Sequence, residues 1–232
     1  MDKSAERIKT AIMGGTFDPV HFGHISFAWD ILRQTEISEI VFMPAKRQPF
    51  KLDVKVSSFE DRKAMLDLAC SELNNELNSD LRNDHKGKRA RVSSLENELD
   101  GVSYTFRTLD EYRRRRPECE LYFVTGSDTF VKLDTWKEHE RLLSDNSFIV
   151  GIRPGYPDKE VYEKKEEYLR LYGTRSVIIK NTPVDVSSTE IREIISAADG
   201  RGNVFSEEIS EMVPRSVADY ITLHGLYRDI DQ

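Results

Sequence analysis

Short apolar runs alternate with longer stretches whose apolar positions recur every three or four residues. Residues 8–13 (IKTAIM), 39–43 (EIVFM), 121–124 (LYFV), 148–152 (FIVGI) and 177–179 (VII) read as buried strands, and 91–95 (RVSSL) can make another. Helical periodicity runs from His21 through Leu32. A longer amphipathic pattern opens at Ser57 or Ser58, carries Met65, Leu66, Leu68 and Ala69, and fades near Leu77. Residues 103–116 form a further helix, stopped by Pro117. A strand, a helix and a strand in succession imply parallel pairing. The fold class is therefore α/β, an open, mostly parallel sheet with helices on both faces. Ligands on such sheets bind beyond the carboxyl ends of the strands, near the switch in strand order, and the unusual loops of this chain fall there.

At 232 residues the chain holds one substantial core, and no composition shift marks a boundary, so 1–232 is read as a single domain. Residues 78–90 open on NSDLRNDHKGKR, polar and without periodicity, and are expected to be a flexible insertion. A net charge of −7 argues against a nucleic-acid partner, whereas a nucleotide needs only local positive charge. The four arginines at 113–116 read as a solvated helix end whose charge complements the dipole, with a phosphate patch as the alternative. Cys70 and Cys119 lie far apart without a partner motif, which fits a reducing compartment. The opening MDKSAERIK has no apolar signal core and no apolar run reaches membrane-spanning length. A cytoplasmic location and no membrane partner are expected.

The chemistry gathers at 9–24, KTAIMGGTFDPVHFGH. Gly14 and Gly15 let the chain leave a strand sharply and bring bare backbone N–H groups up to a ligand. Pro19 cannot sit mid-helix, so the helix begins near His21. His21 and His24 then share a face of the first turn, with Gly23 adding no bulk between them. Two imidazoles at the positive end of a helix form a phosphate site, where ring N–H donors can follow charge as it builds on a phosphoryl group. A metal pair or two capping histidines are the alternatives; zinc would find only Asp18 nearby as a further ligand, and no metal site is assigned.

The second centre is VSSTEIR at 186–192. Ser187 with Glu190 fits a capping box, which turns the first N–H groups and the Ser188 and Thr189 hydroxyls toward whatever lies at that helix end. Arg192 shares a face with Ser188, and its planar fork suits phosphate oxygens. The loop at 44–51, PAKRQPFK, is proline-broken and basic, and Lys51 can neutralise phosphate charge.

GTFDPVHFGH resembles the N-terminal signature of the nucleotidyltransferase superfamily that carries an (H/T)-x-G-H motif. Its GGTFDP-x-H-x-GH wording is most similar to bacterial nicotinate-nucleotide adenylyltransferases. VSSTEIR resembles the superfamily's I-S-S-T-x-I-R element for the β- and γ-phosphates of ATP, with Val186 in place of isoleucine. SYTFRTL at 103–109 is similar to the family's S-Y-T-x-x-T-L, and GSDTFVKLDTW at 126–136 to its G-x-D-x-x-x-x-L-x-x-W. Arg153-Pro154-Gly155, Val213-Pro214, Tyr220-Ile221 and Gly225-Leu226-Tyr227 look like further family elements, so the resemblance spans about 8–227.

The resemblance implies a Rossmann-like nucleotidyltransferase domain with 186–227 as a C-terminal helical part. It implies transfer of AMP from ATP to nicotinate mononucleotide, giving pyrophosphate and deamido-NAD. Gly14, Gly15, Thr16, Phe17, Gly23, Gly126, Asp128, Ser187, Ser188 and Thr189 would bind ATP. Tyr104, Thr105, Trp136 and Arg153 would bind the mononucleotide, Trp136 by stacking on the pyridine ring. Taken alone, Trp136 reads as a residue of an amphipathic helix packing on the core. His21, His24, Lys51 and Arg192 would carry catalysis, with Mg²⁺ on the triphosphate as cofactor. The partners implied are these small molecules, and a homo-oligomer is left open. One departure is Phe50, which stands where the family's basic loop has histidine. The competing readings are transfer to another phosphate acceptor, such as nicotinamide mononucleotide or phosphopantetheine, or a non-catalytic nucleotide-binding regulator. A tRNA-charging fragment would need an anticodon domain and a basic surface.

Overall fold

Side chains alternate across each strand, and both sides of the sheet are apolar, so both must be covered. In the computed structural model, which describes residues 7–46, 56–79, 87–152, 158–198 and 207–228, six strands form one sheet. They are β1 (Ile8–Gly15), β2 (Glu39–Pro44), β3 (Arg89–Val92), β4 (Cys119–Gly126), β5 (Ser147–Ile152) and β6 (Arg175–Lys180). Every pairing is parallel and the order is β3-β2-β1-β4-β5-β6. The direction of winding reverses between β1 and β4, the doubly wound pattern that opens a crevice at that point.

Ala11, Met13, Ile40, Phe42, Val124 and Ile149 point into one core. That core is closed by α1 (Phe22–Gln34), α2 (Phe59–Ser79), α8 (Ser188–Ala198), α9 (Glu207–Met212) and α10 (Arg215–His224). The alternate residues Ile12, Val41, Met43, Phe123, Phe148 and Val150 enter the other core. There the cover is α3 (Leu95–Glu98), α4 (Thr105–Arg115), α5 (Ser127–Phe130), α6 (His139–Asp145) and α7 (Asp158–Tyr172). The expected α/β sheet with helices on both faces is the one found.

Two boundaries differ from the sequence reading. The edge strand lies at Arg89–Val92, earlier than 91–95, and Leu95 opens α3. Its charged residues mask it: Arg89 and Arg91 reach the buried Glu39 on β2 while Ala90 faces the core. α2 runs on through Ser79, two residues into the expected insertion, and 80–86 lie outside the described residues. The arginine run is a solvated helix end. Arg113 pairs with Asp110, and Arg114 and Arg115 both pair with Glu111, at 3.2, 2.6 and 2.7 Å. No described helix is long and apolar enough to cross a membrane.

Candidate active site

β1 ends on Gly14 and Gly15, whose register partners are Met43 and Pro44 of β2. The loop that follows is tight because its side chains fold back beneath it. Phe17 takes φ +53° and buries its ring edge-on against His24 and Phe42, with centroids 4.9 and 5.6 Å apart. A Cβ on Gly15 would stand 2.8 Å from that ring, so glycine is required where the backbone passes over it. His21 is the residue before α1, and its ring lies 3.8 Å from that of His24, so the two imidazoles stand together at the positive end of a thirteen-residue helix. The His21 N–H donates to His24 Nδ1 at 3.3 Å, which orients the second ring.

Burial lowers the His21 pKa to about 4, so the ring is neutral near pH 7. Its Nδ1 is buried without a hydrogen-bond partner. A buried polar atom without a partner, at the anion-binding end of a helix, marks a place where a ligand completes the structure.

The second motif arrives at the same loop from more than 160 residues away. Ser187 Oγ accepts the Glu190 N–H at 3.2 Å and caps α8. Arg192 Nη1 donates to the Asp18 carbonyl at 2.7 Å, and Ser188 Oγ donates to the Pro19 carbonyl at 2.9 Å. The Ser188 hydroxyl thus bonds the loop at that helix end. Thr189 Oγ1 lies 3.4 Å from Arg192 Nη2.

A cavity of about 610 Å³ opens beside this loop at the switch point. Gly14, Gly15 and His24 line it, together with Tyr104, Thr105, Gly126 and Trp136. Thr105 is the first residue of α4, so the free N–H groups of that helix also face the cavity wall. Trp136 follows a short 3₁₀ turn (Leu133–Thr135) in extended conformation and packs edge-on to Phe123 at 6.3 Å. It is thus a wall of the cavity as well as a neighbour of the core, not a residue on a helix face. Asp128 sits on α5 immediately beyond β4. Lys51, Phe50 and Arg153 lie outside the described residues. Among the described residues, no three His, Cys, Asp or Glu side chains are grouped to hold a metal ion.

The Cytidylyltransferase-like family profile matches residues 12–194, which takes in both motifs and the strands between them. A probable nicotinate-nucleotide adenylyltransferase of Clostridium botulinum (strain Kyoto / Type A2) is 32% identical to this chain, over 95% of this chain and 100% of the relative. The chain belongs to the nicotinate-nucleotide adenylyltransferase family. A second relative, from Clostridium botulinum (strain Alaska E43 / Type E3), is 29% identical over 94% of this chain and 97% of its own length. Among solved structures, the nicotinic acid mononucleotide adenylyltransferase of Plasmodium falciparum complexed with NaAD matches with a TM-score of 0.68 at 21% identity. It covers 94% of this chain and 97% of that one, a likeness of fold.

Four residues around this family site were not read as site residues from sequence. Arg62, 2% exposed on α2, donates from Nη1 to the Thr16 carbonyl at 2.8 Å and from Nε to the Ser57 carbonyl at 3.1 Å. Burial lowers its pKa, partly offset by Asp18. Its signal was present: an arginine on the same stripe as Met65, Leu66 and Ala69 is out of place unless it is paired. Glu96 lines the cavity, accepts Thr108 Oγ1 at 2.9 Å, and has its pKa raised by burial against hydrogen bonds from Ser103 and Thr108. Lys137, also lining the cavity, holds its ammonium 4.5 Å over the Tyr104 ring. Tyr227 reaches Asp18 from the C-terminal turn. Glu96 and Lys137 carried no local sequence pattern, and Tyr227 stood in a family element without a role, because each acts across the fold.

Proposed function

We propose that this chain transfers AMP from ATP to nicotinate mononucleotide, giving deamido-NAD and pyrophosphate as a step of NAD synthesis. The observation that carries this reading is the junction of the two phosphate motifs. Arg192 and Ser188 bond to the carbonyls of Asp18 and Pro19, in the loop that presents His21 and His24. That loop stands beside a cavity walled by Tyr104, Thr105 and Trp136. Family membership supports the same activity.

The acceptor's 5′-phosphate is already an anion and needs no general base. One of its oxygens attacks the α-phosphorus, a new P–O bond forms, and the bond to the bridging oxygen of the β-phosphate breaks, its electron pair leaving with pyrophosphate. Catalysis is then alignment and charge stabilisation. His21, neutral because it is buried, donates a single ring N–H toward the reacting phosphoryl group, and His24 stands beside it. Arg192, Thr189 and the N-terminus of α8 hold the departing phosphates, with Lys51 as a further cation. Gly126 and Asp128 serve the nucleotide sugar, and Trp136 stacks on the pyridine ring. Imidazoles, hydroxyls and a guanidinium are ligands for phosphate oxygens, so the substrate is Mg·ATP, whose ion neutralises triphosphate charge. We place the reaction in the cytoplasm.

Steady-state pyrophosphate release with Mg·ATP tests the reading, with nicotinate and nicotinamide mononucleotides compared as acceptors. A kcat/KM ratio above roughly a hundredfold for the acid, about 2.7 kcal/mol, is the expected result. Comparable rates would make the enzyme dual-specific. Turnover with neither would overturn the acceptor assignment.

A further inference from the structure

The loop between β1 and α1 is held from behind by the last described turn of the chain. Gly225, at φ +62°, reverses the chain after α10: its N–H donates to the Thr222 carbonyl at 3.3 Å and the Leu226 N–H to that of Ile221 at 3.1 Å. Leu226 packs against the core shared by α1, α2 and α10. Tyr227 then directs its hydroxyl onto Asp18 Oδ1 at 2.7 Å. Its backbone holds φ +66°, which costs a residue with a Cβ about 1–2 kcal/mol. The buried hydrogen bond helps to offset that cost.

Asp18 is 3% exposed and gathers three elements. Oδ1 accepts Tyr227, Oδ2 accepts the Ser57 N–H at 3.1 Å, and the carbonyl of the same residue accepts Arg192 at 2.7 Å. We propose that Tyr227 is a positioning residue for nucleotidyl transfer, fixing through Asp18 both Arg192 and the loop that carries His21. Without its hydroxyl, a buried carboxylate oxygen loses its donor, and the loop must shift to find another. Any such shift moves the carbonyl on which Arg192 rests. Burial and the neighbouring Asp18 raise the phenol's pKa, so the hydroxyl stays a donor throughout the working range.

The inference rests on the transferase reading above, and wild-type turnover measured alongside tests that reading by itself. The variant is Tyr227→Phe in the full chain, assayed by pyrophosphate release and by calorimetric binding of inorganic pyrophosphate. We expect kcat at least fivefold lower, pyrophosphate bound several-fold more weakly, and KM for the mononucleotide within twofold of wild type. In an Arg192→Ala background the same change should cost at most half as many fold, because one of the two groups it acts through is gone. Asp18→Asn, which keeps the shape and one acceptor oxygen, serves if Tyr227→Phe fails to fold, with the same pattern expected. The proposal is overturned if kcat and pyrophosphate binding stay within twofold of wild type. It is equally overturned if the loss is undiminished in Arg192→Ala, or if only the melting temperature falls. Pyrophosphate binding decides the matter whichever acceptor the enzyme uses.

Discussion

The two ends of the sheet treat buried polar groups in opposite ways. Where the strands begin, the Glu39 side chain is 1% exposed, yet both oxygens have partners. Arg89 and Arg91 reach Oε1 at 2.8 and 3.0 Å, and Thr10 Oγ1 reaches Oε2 at 3.3 Å. Where the strands finish, His21 Nδ1 and Glu96 Oε2 are buried without partners. Both ends are rich in charge, so charge alone does not identify a site. The difference lies at the buried acceptor: the Glu39 carboxylate has both oxygens engaged, whereas the His21 ring nitrogen stands at a helix start where a ligand can complete it.

The largest effect should fall at the closed end. Glu39→Ala empties a buried position and takes the shared acceptor from Arg89, Arg91 and Thr10, and should lower stability by about 3 kcal/mol in urea unfolding. Its kcat at 25 °C should stay within twofold of wild type. Burial pushes the Glu39 carboxyl up, but hydrogen bonds from Arg91 and Arg89 outweigh it and hold its pKa below the ordinary carboxylate value. Its stabilisation is therefore present above that ordinary value and lost as pH falls through the lowered one, a loss the alanine variant should not show. A variant that kept its stability but lost activity would break the comparison.

At the open end the order reverses. His24→Ala should lower kcat at least tenfold, about 1.4 kcal/mol, while ATP binding survives and stability changes little. A variant within twofold of wild type would remove His24 from the transition state. Gly15→Ala is a smaller version of the same test. Its new Cβ would meet the Phe17 ring, which leans on His24, so kcat should fall about threefold to fivefold through displacement of the imidazole. Unchanged kcat would mean that the ring can yield without moving its neighbour.

What could be read from sequence follows the same division. The strands at 8–13 and 39–43 and the turns into α1 and α8 were legible because the features that define them are local: apolar runs, paired glycines, Pro19 before one helix and Ser187 before the other. The α/β class followed from their alternation. Arg89–Val92 was misplaced because its arginines are paired with a residue fifty positions away, and short-range periodicity cannot report that. The position of Ser188 on α8 followed from the cap, and the Pro19 carbonyl that it bonds lies 169 residues earlier, out of reach of a local pattern. Arg62, Glu96 and Tyr227 act through tertiary contacts. Arg62 left a trace as a charge on an apolar stripe and Tyr227 as part of a family element, but neither revealed its partner.

The smallest effect tests whether the open end is closed to protons as well as short of a partner. Burial places the folded His21 pKa at about 4, against 6.5 for an exposed imidazole. Between those values the unfolded chain binds the proton and the folded chain does not, so His21 lowers stability as pH falls below 6.5 and contributes nothing to the slope well above it. His21→Gln removes the titrating group. From pH 7 to pH 6, wild type should lose about 0.7 kcal/mol more than the glutamine variant, read from urea unfolding with the other histidines common to both. Equal losses would mean that His21 takes up its proton in the folded state, and the site would then offer a cation where its burial calls for a neutral donor.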